Sequence, residues 1–330
     1  MTLLLAADVG GTKTDLAVYD SAKGVRGAVV EGSFSSTNYS SFSMLLHEFL
    51  VDKQLHIDRA CFGVAGPVIE NRSRLTNLPW EIDGKELAGE FGIRSVSVIN
   101  DLVALGNAIP YLRDTDIHVL HEGRRCAKGA VGLVAPGTGL GMAFLVWTGD
   151  KYLVCPSEGG HAAFSPNRED SELVRFLQKK SESISIESLC SGQGLPAVYR
   201  FLRDSGLFPE PEWLGILLAG AKDHAPLIVE AAMDPLRKCH ICRETVRTFA
   251  GILAEVCGNL AVTVVATGGI YIGGGIAPRI LPFLSDEGFL RRFRIRGKMS
   301  VLLADVPVSV IINAKAALLG AAAYGLENDQ

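Results

Sequence analysis

The chain has no Walker A loop, since the spacing G-x-x-x-x-G-K-[ST] occurs nowhere in it. It has no basic run of the kind that binds RNA, DNA or anionic lipid. The formal net charge of −4 adds no electrostatic case for a nucleic-acid partner. No disulfide framework is present: the seven cysteines are odd in number and scattered, so a reducing, cytoplasmic setting is expected. The N-terminal residues carry neither a basic n-region nor a cleavage site, so no signal peptide is expected. One uncharged stretch, Val256 to Pro278, is long enough to suggest a membrane span. Asn259 and the pairs Gly268-Gly269 and Gly273-Gly274 break it, and a helix end, a turn and a buried strand are expected instead. No low-complexity segment or long linker occurs. What remains is a chain of 330 residues, 48% hydrophobic and 21% charged, which suits one or two globular domains with sizeable cores.

The stretch around which the rest is organised is Asp8-Val9-Gly10-Gly11-Thr12-Lys13-Thr14. An apolar run precedes it and an alternating run follows, which reads as strand, tight glycine turn, strand. Gly10 and Gly11 can take positive φ and leave room above the backbone. Successive N–H groups in such a turn suit an anion. Thr12 and Thr14 add hydroxyls, Lys13 a charge, and Asp8 a carboxylate able to hold a metal-bound water. A phosphate-binding hairpin fits these residues, and so does an ordinary Gly-Gly hairpin.

Along the chain, apolar spacing predicts helices over 42–51, 85–91 and 102–109, with Pro110 ending the last. Strands are expected over 27–33, 60–65 and 96–99, and an irregular stretch over 75–80. The opening pattern then returns: a strand over 130–135, the glycine turn Pro136-Gly137-Thr138-Gly139-Leu140-Gly141, and a strand over 142–147. Two such hairpins, each opening a set of strands and helices, predict a duplicated α/β fold with one copy per domain. The boundary is expected near Pro110. The clearest later helix runs from about His240 to Val264. It feeds a short strand between glycine clusters over 268–278. A late strand over 306–312 and an alanine-rich helix over 314–324 follow, the helix expected to pack back on the first domain.

Four groups carry candidate chemistry. Asn100-Asp101 ends a strand, at the edge where ligands bind in open α/β sheets. A carboxylate there can take a proton from a hydroxyl, and an Asp there can equally cap the next helix. Glu158 and His161 lie three apart on a glycine-rich loop and can converge on a polar ligand, or remain solvated. Glu187 suits a hydroxyl acceptor or a charge at a helix N-terminus. Cys239-His240-Ile241-Cys242 lacks the further ligands that tetrahedral zinc needs, so no metal ligand is assigned there or elsewhere.

Together these pieces resemble the bacterial glucokinase family, within the sugar kinase, heat-shock protein and actin superfamily. The resemblance runs through nearly the whole chain in order. Asp8 to Thr12 resembles the first phosphate hairpin and Gly137 to Gly141 the second. Gly268-Gly269 through Gly273-Gly274-Gly275 resembles the segment that contacts adenosine. Leu75-Thr76-Asn77 with Trp80, Ile99-Asn100-Asp101, Glu158 to His161, and Glu187 with Ser191-Gly192 resemble the sugar-side motifs. Ala stands before Leu318-Leu319-Gly320 where relatives often carry proline or glycine. The cysteine-rich zinc motif of the related repressor and kinase group is absent, which implies the zinc-free branch.

The resemblance implies a duplicated actin-like (ribonuclease H-like) α/β fold of two domains around a cleft. The small domain would be residues 1–110, joined by a C-terminal helix over about 313–330, and the large domain residues 111–312. It implies ATP-dependent phosphorylation of glucose to glucose 6-phosphate, the first step of glycolysis, with ATP and Mg²⁺ as cofactors. Asn100, Asp101, Glu158, His161 and Glu187 would hold the sugar hydroxyls, with Asp101 as the base. Asp8, Gly10, Gly11, Thr12, Lys13, Gly137, Thr138, Gly139, Gly274 and Gly275 would hold the nucleotide. Expected partners are glucose and a second copy in a homodimer, with no nucleic acid and no membrane. The rival readings are a kinase for another hexose or amino sugar, a sugar-responsive repressor, and an actin-like ATPase that assembles without modifying sugar.

Overall fold

The computed structural model describes residues 2–75 and 78–328. They divide into two compact units, one running to Ile117 and resuming from Asn313, the other spanning His118–Ile312.

The first unit is built on β1 (Leu3–Val9), β2 (Lys13–Asp20), β3 (Ala28–Ser35) and β4 (Arg59–Val64). A small antiparallel sheet of β5 (Val68–Ile69), β6 (Arg72–Arg74) and β7 (Glu81–Asp83) follows, and β8 (Ser95–Asn100) returns to the main sheet. The main order is β3-β2-β1-β4-β8, with β1 antiparallel to β2 and parallel to β4. Alternation along β1 sorts its side chains between two cores. Leu3, Leu5, Ala7 and Val9 face helices Phe42–Leu50 and Gly84–Phe91 through Leu45, Leu46, Phe49 and Leu87. Leu4 and Ala6 face helix Ala316–Glu327 through Leu318, Ala321 and Ala322. Leu5→Ala would cost about 2–5 kcal/mol, the range for emptying a fully buried site.

The alanine-rich helix therefore packs as expected. Gly320 lets it approach helix Asp101–Ala108 closely: a Cβ there would sit 1.7 Å from the Ala104 carbonyl oxygen.

The second unit repeats the plan. β10 (Val131–Pro136) pairs antiparallel with β11 (Leu140–Trp147), and β11 with β12 (Tyr152–Ser157). β10 also pairs parallel with β13 (Gly269–Ile272), and β13 with β14 (Val308–Ile311). With β9 (Ile117–His121) at the edge, the order is β12-β11-β10-β13-β14-β9. In both sheets an antiparallel meander leads into parallel strands, with the glycine turn between the first two. This is the duplication that the two hairpins predict.

Helix His240–Val264 is the core of this unit, with Phe249, Ile252, Leu253 and Cys257 wholly buried. It is long and apolar enough to cross a membrane, but 78% of its most apolar window is buried in the protein. The uncharged stretch from Val256 resolves into the end of this helix, a turn and β13, as expected. Cys239 and Cys242, also buried, open the same helix. A basic stretch near the end of the unit turns inward. Arg292 meets Asp170 and Glu255, Arg294 meets His121, and Arg296 meets Asn259.

Leu75 and residues 78–80 carry neither helix nor strand, as the irregular reading expects, and Leu75 N–H donates to the Trp80 carbonyl at 3.1 Å just beyond the last β6–β7 pair. Trp80 is a core residue. Its ring lies 6.0 Å from that of Phe42, and its Nε1 donates to the Tyr39 carbonyl at 3.1 Å. Thr76 and Asn77, named with it as a sugar-side motif, lie outside the described residues.

Candidate active site

Parallel pairing of β1, β4 and β8 brings Asp8, Val64 and Asn100 to one carboxyl edge. Asn100 caps helix Asp101–Ala108. Its Oδ1 accepts from Leu102 N–H at 2.9 Å, and its Nδ2 donates to the Gly66 carbonyl at 3.0 Å. The cap is thus Asn100 and not Asp101, because Asn100 keeps extended backbone while Asp101 is already helical. Asp101 Oδ1 shares the Leu102 N–H at 2.9 Å. Burial raises the Asp101 carboxyl above the ordinary carboxylate range, outweighing its hydrogen bonds. Burial and the charges of Asp101 and Asp15 push Asp8 up to about 7, against the pull of Lys13. Asp15 lies opposite Asp8 in the strand register, and its Oδ1 is buried with no hydrogen-bond partner. The edge carries negative charge in excess.

The first glycine turn does not use the freedom of its glycines to reach positive φ. Neither Gly10 nor Gly11 takes positive φ. Gly10 is needed for space, since a Cβ would sit 2.9 Å from the Lys13 carbonyl oxygen. Its N–H is engaged with that same oxygen at 3.0 Å. Ser36, wholly buried, braces the loop: its N–H donates to the Thr12 carbonyl at 2.9 Å and its Oγ to the Gly10 carbonyl at 2.7 Å. The Thr14 hydroxyl, 2.9 Å from Ser36 Oγ, is used inside the fold and does not face a ligand. Lys13 Nζ pairs with Asp15 at 2.9 Å and stays largely exposed. The N–H groups of Gly11 and Thr12 donate to no described residue.

At the second turn, Gly137 N–H closes the loop onto the Gly139 carbonyl at 2.9 Å. Gly192 and Gln193 donate to the Gly137 and Thr138 carbonyls at 2.8 and 3.2 Å. Glu187 Oε2 accepts from Leu140 N–H at 2.7 Å. The N–H groups of Thr138 and Gly139 donate to no described residue. Nothing lies within 4 Å of where a Cβ on Gly137 would stand, so the space above the turn is open. The segment after β13 runs alongside, with Gly273 N–H on the Val134 carbonyl at 2.8 Å and Ile276 N–H on that of Pro136 at 3.3 Å. Gly274, at φ +75°, has no room for a Cβ, which would lie 2.4 Å from the Pro136 oxygen; Gly275 is open.

Glu158, His161 and Glu187 do come together. His161 Nε2 is 3.7 Å from Glu158 Oε2, and its Nδ1 is 3.9 Å from Glu187 Oε1. Gly160 seats this loop against β11, its N-terminal neighbour in space being the Leu140 carbonyl, 2.4 Å from a Cβ at that position. Glu187 N–H donates to the Gly160 carbonyl at 2.8 Å. Neither His161 distance is a hydrogen bond, so these side chains keep capacity for a ligand rich in hydroxyls.

The family model for glucokinase matches residues 5–328. A glucokinase of Nostoc punctiforme is 37% identical over 338 aligned positions, covering 98% of each chain. The chain belongs to the glucokinase family. Its fold is also that of a crystallised glucokinase from an Antarctic psychrotroph, with a TM-score of 0.85, 30% identity and coverage of 99% of this chain and 100% of that one. A Balamuthia mandrillaris glucokinase, at 20% identity and a TM-score of 0.80, over 98% of this chain and 93% of that one, shares the fold.

Within this glucokinase-family chain, one supporting residue and one supporting contact escaped the sequence reading. Ser36 sits in a polar stretch with no spacing that ties it to Gly10. The contact of Glu187 with Leu140 joins positions 47 apart, which no local pattern announces.

Proposed function

We propose that this chain transfers the γ-phosphoryl group of ATP to the 6-hydroxyl of glucose, giving glucose 6-phosphate and ADP. The observation that carries this reading is a hydroxyl-reading cluster, Glu158, His161 and Glu187, joined directly to an open glycine turn. An ATPase that assembles without a sugar has no use for that cluster.

Phosphoryl transfer is mostly positioning and charge stabilisation. The free N–H groups of Gly11, Thr12, Thr138 and Gly139 are the donors assigned to the phosphates, with Gly10 and Gly137 shaping the turns and Lys13 adding charge. Gly274 and Gly275 are assigned to the adenosine side. Glucose is neutral and densely hydroxylated, and Asn100, Asp101, Glu158, His161 and Glu187 are assigned to one glucose molecule. Asp101 accepts the 6-hydroxyl proton as the phosphoryl group arrives, and burial makes its carboxylate a stronger base than an exposed one.

Mg²⁺ fits the acidic edge. Asp8 is held up to about 7 and Asp15 Oδ1 has no partner, so the edge favours a cation. Among the described residues no group of three or more His, Cys, Asp or Glu side chains forms a metal cage, so the ion would arrive with the phosphates and meet Asp8 through water. Bound there, it neutralises phosphate charge. The homodimer expected from the resemblance belongs to the same proposal, and light scattering of the purified protein checks it.

A coupled ADP-release assay over a panel of sugars tests the function. Glucose should outrun galactose, 2-deoxyglucose and N-acetylglucosamine at subsaturating sugar, because polar groups that the bound sugar covers and leaves unpaired penalise the wrong hydroxyl pattern. Faster turnover of N-acetylglucosamine, or ADP release indifferent to sugar, would overturn it.

A further inference from the structure

Glu187 uses its two carboxylate oxygens in different directions. Oε2 accepts the N–H of Leu140, the first residue after the Gly137-Thr138-Gly139 turn, at 2.7 Å. Oε1 faces the imidazole of His161 at 3.9 Å. The fit on the turn side is tight, since a Cβ on Gly139 would lie 2.5 Å from Oε2. The backbone after Glu187 grips the same turn, through Gly192 N–H on Gly137 and Gln193 N–H on Thr138. Ser191 Oγ donates back to the Glu187 carbonyl at 2.7 Å, which ties this grip to Glu187 itself.

We propose that Glu187 is a positioning residue for the phosphate turn as well as a sugar contact, so that one carboxylate links the two halves of the substrate pair. This rests on the kinase reading above and deepens it. Four groups hold the turn between β10 and β11: the Gly137 N–H bond to Gly139, the two backbone donors from 192–193, and Glu187. Only Glu187 does so with a side chain. Removing its acceptor leaves the Leu140 N–H without its partner and frees the end of the turn, so the N–H groups of Thr138 and Gly139 lose their fixed direction. A hydroxyl donating to Oε1 would in turn restrict the carboxylate that holds Leu140. Ordering shared between two ligands produces positive coupling, and the coupling is reciprocal.

The test is calorimetric titration with a non-hydrolysable ATP analogue and Mg²⁺ in the complete absence of sugar. A residue that only contacts sugar has no effect in that experiment. Glu187→Ala should weaken analogue binding roughly tenfold, the scale of one lost acceptor to a buried N–H. Glu187→Met, which keeps the length and fills the space without an acceptor, should do the same and guards against a variant that fails to fold. Glu187→Gln keeps an oxygen for Leu140 and should restore analogue binding to within about twofold, while still weakening glucose binding through the lost charge. Glu158→Ala should leave analogue binding unchanged. Native-like analogue affinity in folded Glu187→Ala or Glu187→Met would overturn the positioning role and leave Glu187 as a sugar contact. Failure of the native protein to bind the analogue would instead sink the kinase reading beneath it.

Discussion

At the first glycine turn the supporting atoms come from a buried serine, and at the second they come from a carboxylate. Ser36 holds the Gly10–Thr12 loop with neutral hydrogen bonds and leaves no charge there. Charge gathers instead at the strand ends beside it, on Asp8, Asp15 and Asp101. At the second turn the carboxylate of Glu187 supports the loop and reaches toward His161. The sheets beneath share an order and a pairing pattern, so a duplicated scaffold does not impose duplicated chemistry. The first edge differs in gathering three acidic side chains, Asp8, Asp15 and Asp101, beside its turn.

The sharpest break between the edges is at Asp101. Asp101→Asn keeps the shape and one acceptor oxygen but removes the basicity. Turnover should fall by roughly 10²–10⁴-fold, the share of a positioned base. The glucose KM should change much less, because the hydroxyl cluster of the second unit is intact. Steady-state kinetics of the folded variant separate the two effects.

The next effect belongs to the second turn. Gly137→Val introduces a branched side chain into space that is open in the protein, at a φ that valine tolerates. It should fold normally and raise the KM for ATP severalfold, with a smaller change for glucose. An unchanged ATP KM in the folded variant would remove this turn from the phosphate site.

A smaller effect distinguishes Asp8 through stability. Burial and the neighbouring carboxylates push its folded carboxyl up to about 7, well above the ordinary carboxylate value. The folded state therefore holds that proton more tightly than the unfolded chain. Stability from this group is full below about pH 4 and is lost as pH rises toward 7. Asp8→Asn should raise the Tm at pH 8 by several degrees, and the gain should vanish near pH 4, while turnover falls at every pH. Thermal unfolding at the two pH values measures it. No gain at pH 8 would mean that the acidic edge carries no strain.

The smallest effect on activity is expected from Cys239→Ala with Cys242→Ala. Both thiols are buried at the start of helix His240–Val264, so the Tm should drop by a few degrees with kcat unchanged. Serine is a poorer probe there, because it would bury hydroxyls. Zinc released from the native protein together with loss of activity would contradict this.

Much of this fold was legible in the chain because its periodicities are local. The helix over 240–264, the strand–glycine–strand repeats and the alanine-rich C-terminal helix each announce themselves within a few residues. The site was legible as residue types: Asn100, Asp101, Glu158, His161 and Glu187 stand out as polar groups at the ends of apolar runs. Their division of work was not. The cap passed to Asn100 because backbone geometry, invisible in the sequence, separates it from its neighbour. Gly10 and Gly139 are needed for space rather than for positive φ, which depends on the Lys13 carbonyl and on Glu187. Trp80 turned into the core against Phe42 and the Tyr39 carbonyl, partners about 40 positions away that no local pattern announces.

The account turns on Asp101 acting as an ionised base at an edge that holds carboxyl protons unusually tightly. The most direct measurement is kcat/KM for glucose between pH 5 and pH 8, in the native protein and in Asp101→Asn. Because burial raises the Asp101 carboxyl, the base is lost to protonation at a higher pH than an ordinary carboxylate would be. The acid loss of native kcat/KM that Asp101 causes should therefore lie at higher pH than an ordinary carboxylate would give, and that component should be absent from the residual activity of Asp101→Asn. A native profile flat down to pH 5, with the variant retaining kcat within about threefold of native, would contradict it.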